Sequence, residues 1–160
     1  MRSLRPAMLA VLLLFVSSRP ARADATLFLG VNTTPTSRGV VGGAIGAGLL
    51  IVAFEFEYSS AHEDTETLAP ALKVGTGNVL LQTPVPIFGF QPYFTTGAGG
   101  FHESIGNSSE TNLATNIGGG AKISLAGPIR LRVDYRVFSL NGSARYTPVH
   151  RFYAGLNLKF

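Results

Sequence analysis

The sequence predicts an all-β fold: an eight-stranded, antiparallel, up-and-down barrel that crosses a membrane and follows a cleaved signal peptide. Three observations predict it. The chain opens with a secretory signal, its later segments alternate apolar with polar residues as strands do, and the gaps between these segments alternate between longer polar loops and short turns. Together these features are typical of a small barrel in a bacterial outer membrane.

The amino terminus has the three parts of a secretory signal. Arg2 and Arg5 precede the apolar run 7–16, and Ala-Arg-Ala at 21–23 is a small-x-small cleavage site. The apolar run is shorter than the roughly 20 residues that a membrane-spanning helix needs. We therefore predict a signal peptide over residues 1–23, cleaved after Ala23, and a single domain over residues 24–160.

Removal of the signal peptide changes the charge of the chain. Four of its 13 Lys and Arg residues lie before residue 24, and none of its nine Asp and Glu residues does, so the mature chain has nine of each sign. The basic isoelectric point thus belongs mostly to the signal, and we expect no nucleic-acid partner. The chain has no Cys, which excludes disulfides and thiol chemistry.

Eight segments are predicted to form strands. In chain order they are residues 25–32, 39–48, 51–60, 71–83, 91–103, 115–125, 129–138 and 150–160. A very short turn near 48–50 separates the second from the third, and a change of phase near Asn78 indicates a β-bulge. A polar loop is expected at 103–110, and Gly127 and Pro128 predict a tight turn after the sixth strand.

The segment 129–138 decides which face of the sheet is outside. Large apolar residues alternate there with Arg130, Arg132, Asp134 and Arg136. Each Arg would cost about 2–4 kcal/mol on a lipid face, whereas an eight-stranded barrel leaves just enough interior room for side chains. We therefore predict a closed lumen with one connected charge network: Glu55, Glu57, Lys122, Arg130, Arg132, Asp134, Arg136 and Lys159. Gly118, Gly120 and Gly155 face the same interior and would make room for the arginines.

Aromatic residues cluster near the short turn that precedes the fifth predicted strand. Phe88, Phe90, Tyr93 and Phe94 lie there, and Phe160 ends the chain. We expect these five to form an aromatic belt at the inner membrane–water interface.

The signal, the strand pattern and the final segment "FYAGLNLKF" resemble the small eight-stranded outer-membrane barrel family, the OmpA/OmpX/Opa-type transmembrane domains. The resemblance implies a carboxy-terminal signal that the barrel-assembly machinery recognises, here Tyr153, Leu156, Leu158 and Phe160. It also implies an outer-membrane location. We expect a monomer in contact with outer-membrane lipid and lipopolysaccharide. The short outer loops and the absence of Trp argue against an adhesin or receptor.

No nucleotide, metal-protease or nucleophile-elbow motif occurs. We expect a structural or interaction role in the envelope, without enzymatic activity, cofactor or metal. Two alternatives stay open: a minor pore for small solutes, and a lipid hydrolase in which His102 activates Ser104. The segment 62–66 could also collect a divalent cation through its oxygens, although a solvated loop explains it as well.

Overall fold

Eight antiparallel strands pair in chain order and close into a barrel in the computed structural model, which describes residues 22–160. The strands are β1 (Arg22–Asn32), β2 (Arg38–Leu49), β3 (Val52–Ala61), β4 (Ala71–Gln82), β5 (Phe90–Ile105), β6 (Ser108–Ala126), β7 (Ile129–Leu140) and β8 (Val149–Lys159). The predicted fold class and strand number are confirmed. Within residues 22–160, no helix is long and apolar enough to cross a membrane.

The barrel closes between its first and last strands. β1 and β8 pair from Asp24 opposite Lys159 to Asn32 opposite Arg151. Beyond this ladder, Ala23 and Phe160 exchange backbone hydrogen bonds of 2.9 and 3.0 Å. The predicted signal peptide lies outside the described residues except for residues 22 and 23, so its cleavage after Ala23 stays a prediction.

The two ends of the barrel differ. One, here called the turn end, carries the connections 50–51, 83–89 and 127–128 and both ends of the described chain. The predicted turn near Gly48–Leu50 is confirmed at residues 50–51, where Leu50 has a φ of 55°, and Gly127 in the predicted tight turn has a φ of 54°. The opposite end, the loop end, carries the connections 33–37, 62–70, 106–107 and 141–148.

Two sequence predictions about the strands are wrong. The polar loop expected at 103–110 is a strand extension, because β5 and β6 stay paired to Ile105 and Ser108 and only Gly106 and Asn107 form the turn. Gly106 allows so tight a turn through its positive φ of 54°. No bulge occurs at Asn78, since β4 pairs without interruption with both neighbours. The irregularity lies instead between Ser124 and Ala126 of β6.

The sheet is apolar outside and polar over much of its inside. Leu27, Phe54 and Leu156 on the outer face are 76%, 65% and 61% exposed, whereas Arg132 and Arg136 on the inner face are fully buried. This arrangement is the inverse of a soluble sandwich, whose apolar side chains face inward. A continuous apolar outer surface of this kind is suited to hydrocarbon.

Glycines on the inner face of β6 and β8 leave room for long side chains on the neighbouring strands. A Cβ built on Gly118 would lie 2.8 Å from Cγ of Arg136 and would also collide with the carbonyl of Tyr135. Gly120 and Gly155 are equally crowded by backbone atoms of Val133 and Leu27. The absence of a side chain at these positions thus lets neighbouring strands approach closely and also makes room for the arginine side chains.

We predict that Gly118→Ala lowers the free energy of unfolding by about 1–3 kcal/mol, because the added methyl group forces β6 away from β7. Gly77→Ala is the matched control, since the nearest atom to a Cβ there is the Ala98 carbonyl oxygen at 4.0 Å. Urea titration of the folded fraction in lipid vesicles measures both. Equal midpoints for the two variants would contradict the crowding seen at Gly118.

Candidate functional site

A balanced set of charged side chains fills the middle of the barrel. This central network has three carboxylates and three guanidinium groups: Glu55, Glu57, Asp134, Arg132, Arg136 and Arg151. All six are buried. The two glutamates come from β3 and the other four charges from β7 and β8, so the ion pairs cross the lumen and join strands on opposite sides of it.

Arg132 lies at the centre of this network. Its guanidinium pairs with both carboxylate oxygens of Glu55, one of them at 3.1 Å, and with Asp134 at 3.2 Å. Its Nε donates to the hydroxyl of Tyr93 at 2.7 Å, and its guanidinium also lies over the rings of Tyr93 and Tyr153, 4.9 and 5.6 Å from their centroids. Arg132 therefore has a partner on every side, as a buried charge requires.

Arg136 joins the carboxylates to one another. It pairs with Asp134 at 2.9 Å, Glu55 at 3.0 Å and Glu57 at 3.1 Å. Glu57 in turn pairs with Arg151 at 3.3 Å. Each carboxylate thus lies within ion-pair distance of two guanidinium groups, which is the geometry that makes charge burial tolerable.

Two tyrosine hydroxyls complete the central network. Tyr93 donates to Asp134, and Tyr153 hydrogen-bonds Asp134 at 3.1 Å and Glu57 at 3.3 Å. Tyr153 also stacks on Phe28, with ring centroids 4.0 Å apart. Tyr93 was expected in the aromatic belt at the inner membrane–water interface and is buried in the lumen instead, because it shares the inner face with Gln91 and Thr95. Phe88, Phe90, Phe94 and Phe160 are exposed outside, as expected for a belt.

A second group of charges lies nearer the turn end. In this lower cluster, Oδ2 of Asp24 accepts from Lys122 at 2.6 Å and from Arg130 at 3.0 Å. Thr26 and Asn157 connect it to the central network: Arg130 donates to Asn157 at 2.7 Å, Asn157 to Thr26 at 2.8 Å, and Arg132 to Thr26 at 3.4 Å.

The structure brings seven of the eight proposed network residues into the lumen. Lys122 and Arg130 pair with Asp24 rather than with the glutamates or Asp134. Lys159 is the exception, because it is half-buried at the turn end and makes no ion pair with any residue from 22 to 160. It lies two residues beyond Asn157, too close to the mouth of the barrel to reach the central network.

Apolar side chains close the lumen at the loop end. This outer apolar layer comes from seven strands and consists of Val40, Ala61, Leu72, Val74, Phe101, Ala114, Phe138, Leu140 and Val149. Arg151 marks its border with the central network, since its guanidinium lies 4.3 Å from the centroid of the Phe138 ring. The layer also explains the false bulge at Asn78: the inner face of β4 changes from apolar to polar without changing phase.

The four residues of the proposed assembly signal do not share one face. Leu156, Leu158 and Phe160 are exposed on the outside of the barrel, whereas Tyr153 is buried in the central network. The reason is the strand period of two, which places the odd-numbered residues of β8 inside. Tyr153 thus faces the lumen while the other three face outward, and the assembly signal itself stays a prediction.

The two residues of the alternative hydrolase site lie near the loop end. His102 is exposed, and its Nδ1 lies 2.7 Å from Oγ1 of Thr111 on the paired strand β6. Ser104 is the next residue on the same face of β5. The buried residue between them, Glu103, points inward and accepts a hydrogen bond from the backbone N–H of Arg145 at 2.8 Å.

The loop segment 62–66 is organised by its own hydrogen bonds. Oδ1 of Asp64 accepts from the backbone N–H groups of Glu66 at 3.1 Å and Thr67 at 3.3 Å. Hydrogen bonds from the side chain and backbone of Thr67 hold the pKa of the Asp64 carboxyl below its ordinary value. Across residues 22–160, no three His, Asp or Glu side chains are grouped to hold a metal ion.

Comparison with solved structures finds this architecture in small outer-membrane barrels. The N-terminal β-barrel domain of Pseudomonas aeruginosa OprF is 16% identical, with a TM-score of 0.67 over 88% of this chain and 100% of that chain. The fold of this chain is that of the small eight-stranded outer-membrane barrels.

Other solved structures agree. Neisserial surface protein A is 12% identical, with a TM-score of 0.58 over 87% of this chain and 94% of its own. A de novo designed transmembrane β-barrel is 14% identical, with a TM-score of 0.59 over 89% and 98% of the two chains. No protein-family model and no curated protein matches the sequence.

Sequence reasoning missed four residues of the lumen: Asp24, Tyr93, Arg151 and Tyr153. Strand alternation could have found Arg151, which shares the face of Gly155 and Asn157. It could also have found Asp24, which shares the face of the inward Thr26. No local pattern indicates which inward carboxylate meets which inward cation.

We predict that Arg132→Leu lowers the free energy of unfolding by about 3–5 kcal/mol, because it leaves buried Glu55 and Asp134 with fewer partners than they need. Arg145→Leu on an exposed loop is the control for loss of a positive charge. Since the chain has no Trp, the folded band on unboiled gels measures unfolding across a urea series. An Arg132→Leu midpoint equal to or above that of the wild type would refute the pairing.

Proposed function

We propose that the protein is a closed barrel of the bacterial outer membrane with a structural or interaction role in the envelope. The observation that carries this proposal is a lumen filled by mutually paired charges beneath an apolar layer. Such an interior offers no open path, and the apolar outer face fits hydrocarbon. In this reading the loop end faces outward and the turn end faces the periplasm.

The partners follow from the exposed surface. Outer-membrane lipid and lipopolysaccharide would cover the apolar outer face. The protein would therefore be stable as a monomer, without a second copy against that face. The outward Leu156, Leu158 and Phe160 would present the terminal strand to the barrel-assembly machinery. We propose a role without catalysis: Nδ1 of His102 is hydrogen-bonded to Oγ1 of Thr111, and among residues 22–160 no acidic side chain hydrogen-bonds its ring.

Location has a direct test. Protein expressed from the full-length gene should fractionate with the outer membrane and migrate differently on a denaturing gel before and after boiling, because a closed barrel resists detergent unfolding. A soluble periplasmic protein whose migration is unchanged by boiling would overturn the proposal.

Closure has a separate test. Reconstituted in planar bilayers, the wild-type protein should give no conductance steps in the range that a porin gives in the same membranes. The apolar layer contributed by Phe101, Phe138 and their neighbours should exclude water and ions. Regular steps from the wild-type protein would favour the minor-pore alternative instead.

A further inference from the structure

A cavity of about 170 Å³ opens into the lumen at the turn end of the barrel. Four basic side chains line it, Arg22, Lys122, Arg130 and Lys159, together with the carboxylate of Asp24. We call this cavity the basic vestibule. About 10–15 Å³ of such space holds one water molecule, so the vestibule has room for several waters or for one small polyatomic ion.

The charges in the middle and turn-end parts of the lumen do not cancel, and the excess there lies in the vestibule. The central network is neutral, with three guanidinium groups and three carboxylates. The lower cluster has two cations, Lys122 and Arg130, on a single oxygen of Asp24. Glu55 also lines the cavity, but Arg132 and Arg136 already occupy both of its oxygens.

Two further positive charges border the same space. Lys159 lines the cavity and makes no ion pair with residues 22–160. Arg22 lines it in the described chain. If the signal is cleaved after Ala23, Arg22 is removed, but the new amino group of Asp24 would lie close to the cavity. The vestibule therefore has an excess of positive charge with or without cleavage.

The groups around the vestibule have hydrogen-bonding capacity to spare. Lys122 has three ammonium hydrogens and a single carboxylate partner, and the two terminal nitrogens of Arg130 each carry two hydrogens and make one hydrogen bond. Oε1 of Gln82 is buried in the same wall with no partner among the described residues. This oxygen is a hydrogen-bond acceptor, so a protonated oxygen of a bound molecule could donate to it.

We propose that the basic vestibule binds a small oxyanion of the phosphate class, held by Lys122, Arg130 and Lys159. A tetrahedral oxyanion supplies several acceptors to these donors, and a monoprotonated phosphate also supplies a donor for Gln82. The shared chemistry admits two sources: free inorganic phosphate, or the phosphate of a lipid headgroup. Entry of the ligand from the periplasm rests on the proposed function, because that function sets the orientation of the barrel. Binding of the oxyanion does not depend on the proposed function.

Calorimetric titration tests the site on protein expressed from the full-length gene and extracted in an uncharged detergent. Inorganic phosphate is added at constant low ionic strength in a chloride-free buffer, because salt screens such sites. The wild-type protein should bind phosphate saturably. Lys159→Gln should weaken binding at least about fivefold through loss of one charge-assisted contact. Because Lys159 makes no ion pair, this variant should keep its fold, which gel migration before and after boiling verifies.

Lys73→Gln is the matched control. Lys73 is exposed on the outer face of β4, so its loss removes the same charge without touching the vestibule, and the affinity should stay within about twofold of the wild type. A second titration with dihexanoyl phosphatidic acid distinguishes the sources. Tighter binding of the lipid than of phosphate, weakened by Lys159→Gln, identifies a headgroup; binding of phosphate alone identifies the free ion.

Two outcomes would overturn the proposal: no saturable binding of either probe, or equal affinities in Lys159→Gln and the wild type. Neither depends on membrane location or conductance, since the titration is made in detergent. A failure here would therefore leave the proposed barrel function intact. Conversely, if the protein proved soluble or conducting, the proposed barrel function would fail, and the titration would still decide whether the anion site exists.

Discussion

The contact of Arg132 and Arg136 with Glu55, Glu57 and Asp134 is the constraint on which the rest of the barrel depends. Buried ion pairs often add little stability over well-packed apolar groups, but losing one partner is costly. The five charges lie on β3 and β7, which stand on opposite sides of the closed sheet. Their pairing therefore ties opposite sides of the barrel together across the lumen.

Much of the remaining lumen sequence follows from that contact. Tyr93 and Tyr153 donate to Oδ2 of Asp134, the same oxygen to which the arginines donate, and their rings cover the guanidinium faces. Gly118 stands opposite Arg136 in the β6–β7 ladder, where a larger residue would meet its Cγ. The network thus requires aromatic residues at some inward positions and the absence of a side chain at others.

The sequence predicts the strands and their faces well, and the contents of the lumen less well. Alternation in β7 places Arg130, Arg132 and Arg136 correctly because strand period is a local property. Pairing between Lys122 and Asp24 is not local, since it depends on how β1 meets β8 and on the stagger of every strand between them. Tyr93 was misassigned for another reason: aromatic residues suit both a membrane interface and a buried polar network. The inward Leu72 and Val74 suggested a bulge because the lumen was taken to be polar throughout.

The order of layers along the lumen has an electrostatic cause. Around the middle of the barrel the sheet is surrounded by hydrocarbon in the proposed orientation, so an unbalanced charge there would be far from any water. The central network is accordingly neutral, and toward the turn end the excess positive charge lies in the vestibule, where solvent enters. At the loop end the apolar layer of Phe101, Phe138 and Leu140 excludes water, so no charge could be solvated between it and the network. An unpaired cation is therefore tolerable only beyond these two layers, and at the turn end Lys122, Arg130 and Lys159 meet. At the loop end, beyond the apolar layer, buried Arg38 makes no ion pair with residues 22–160 and donates instead to the backbone carbonyls of Pro70 and His62.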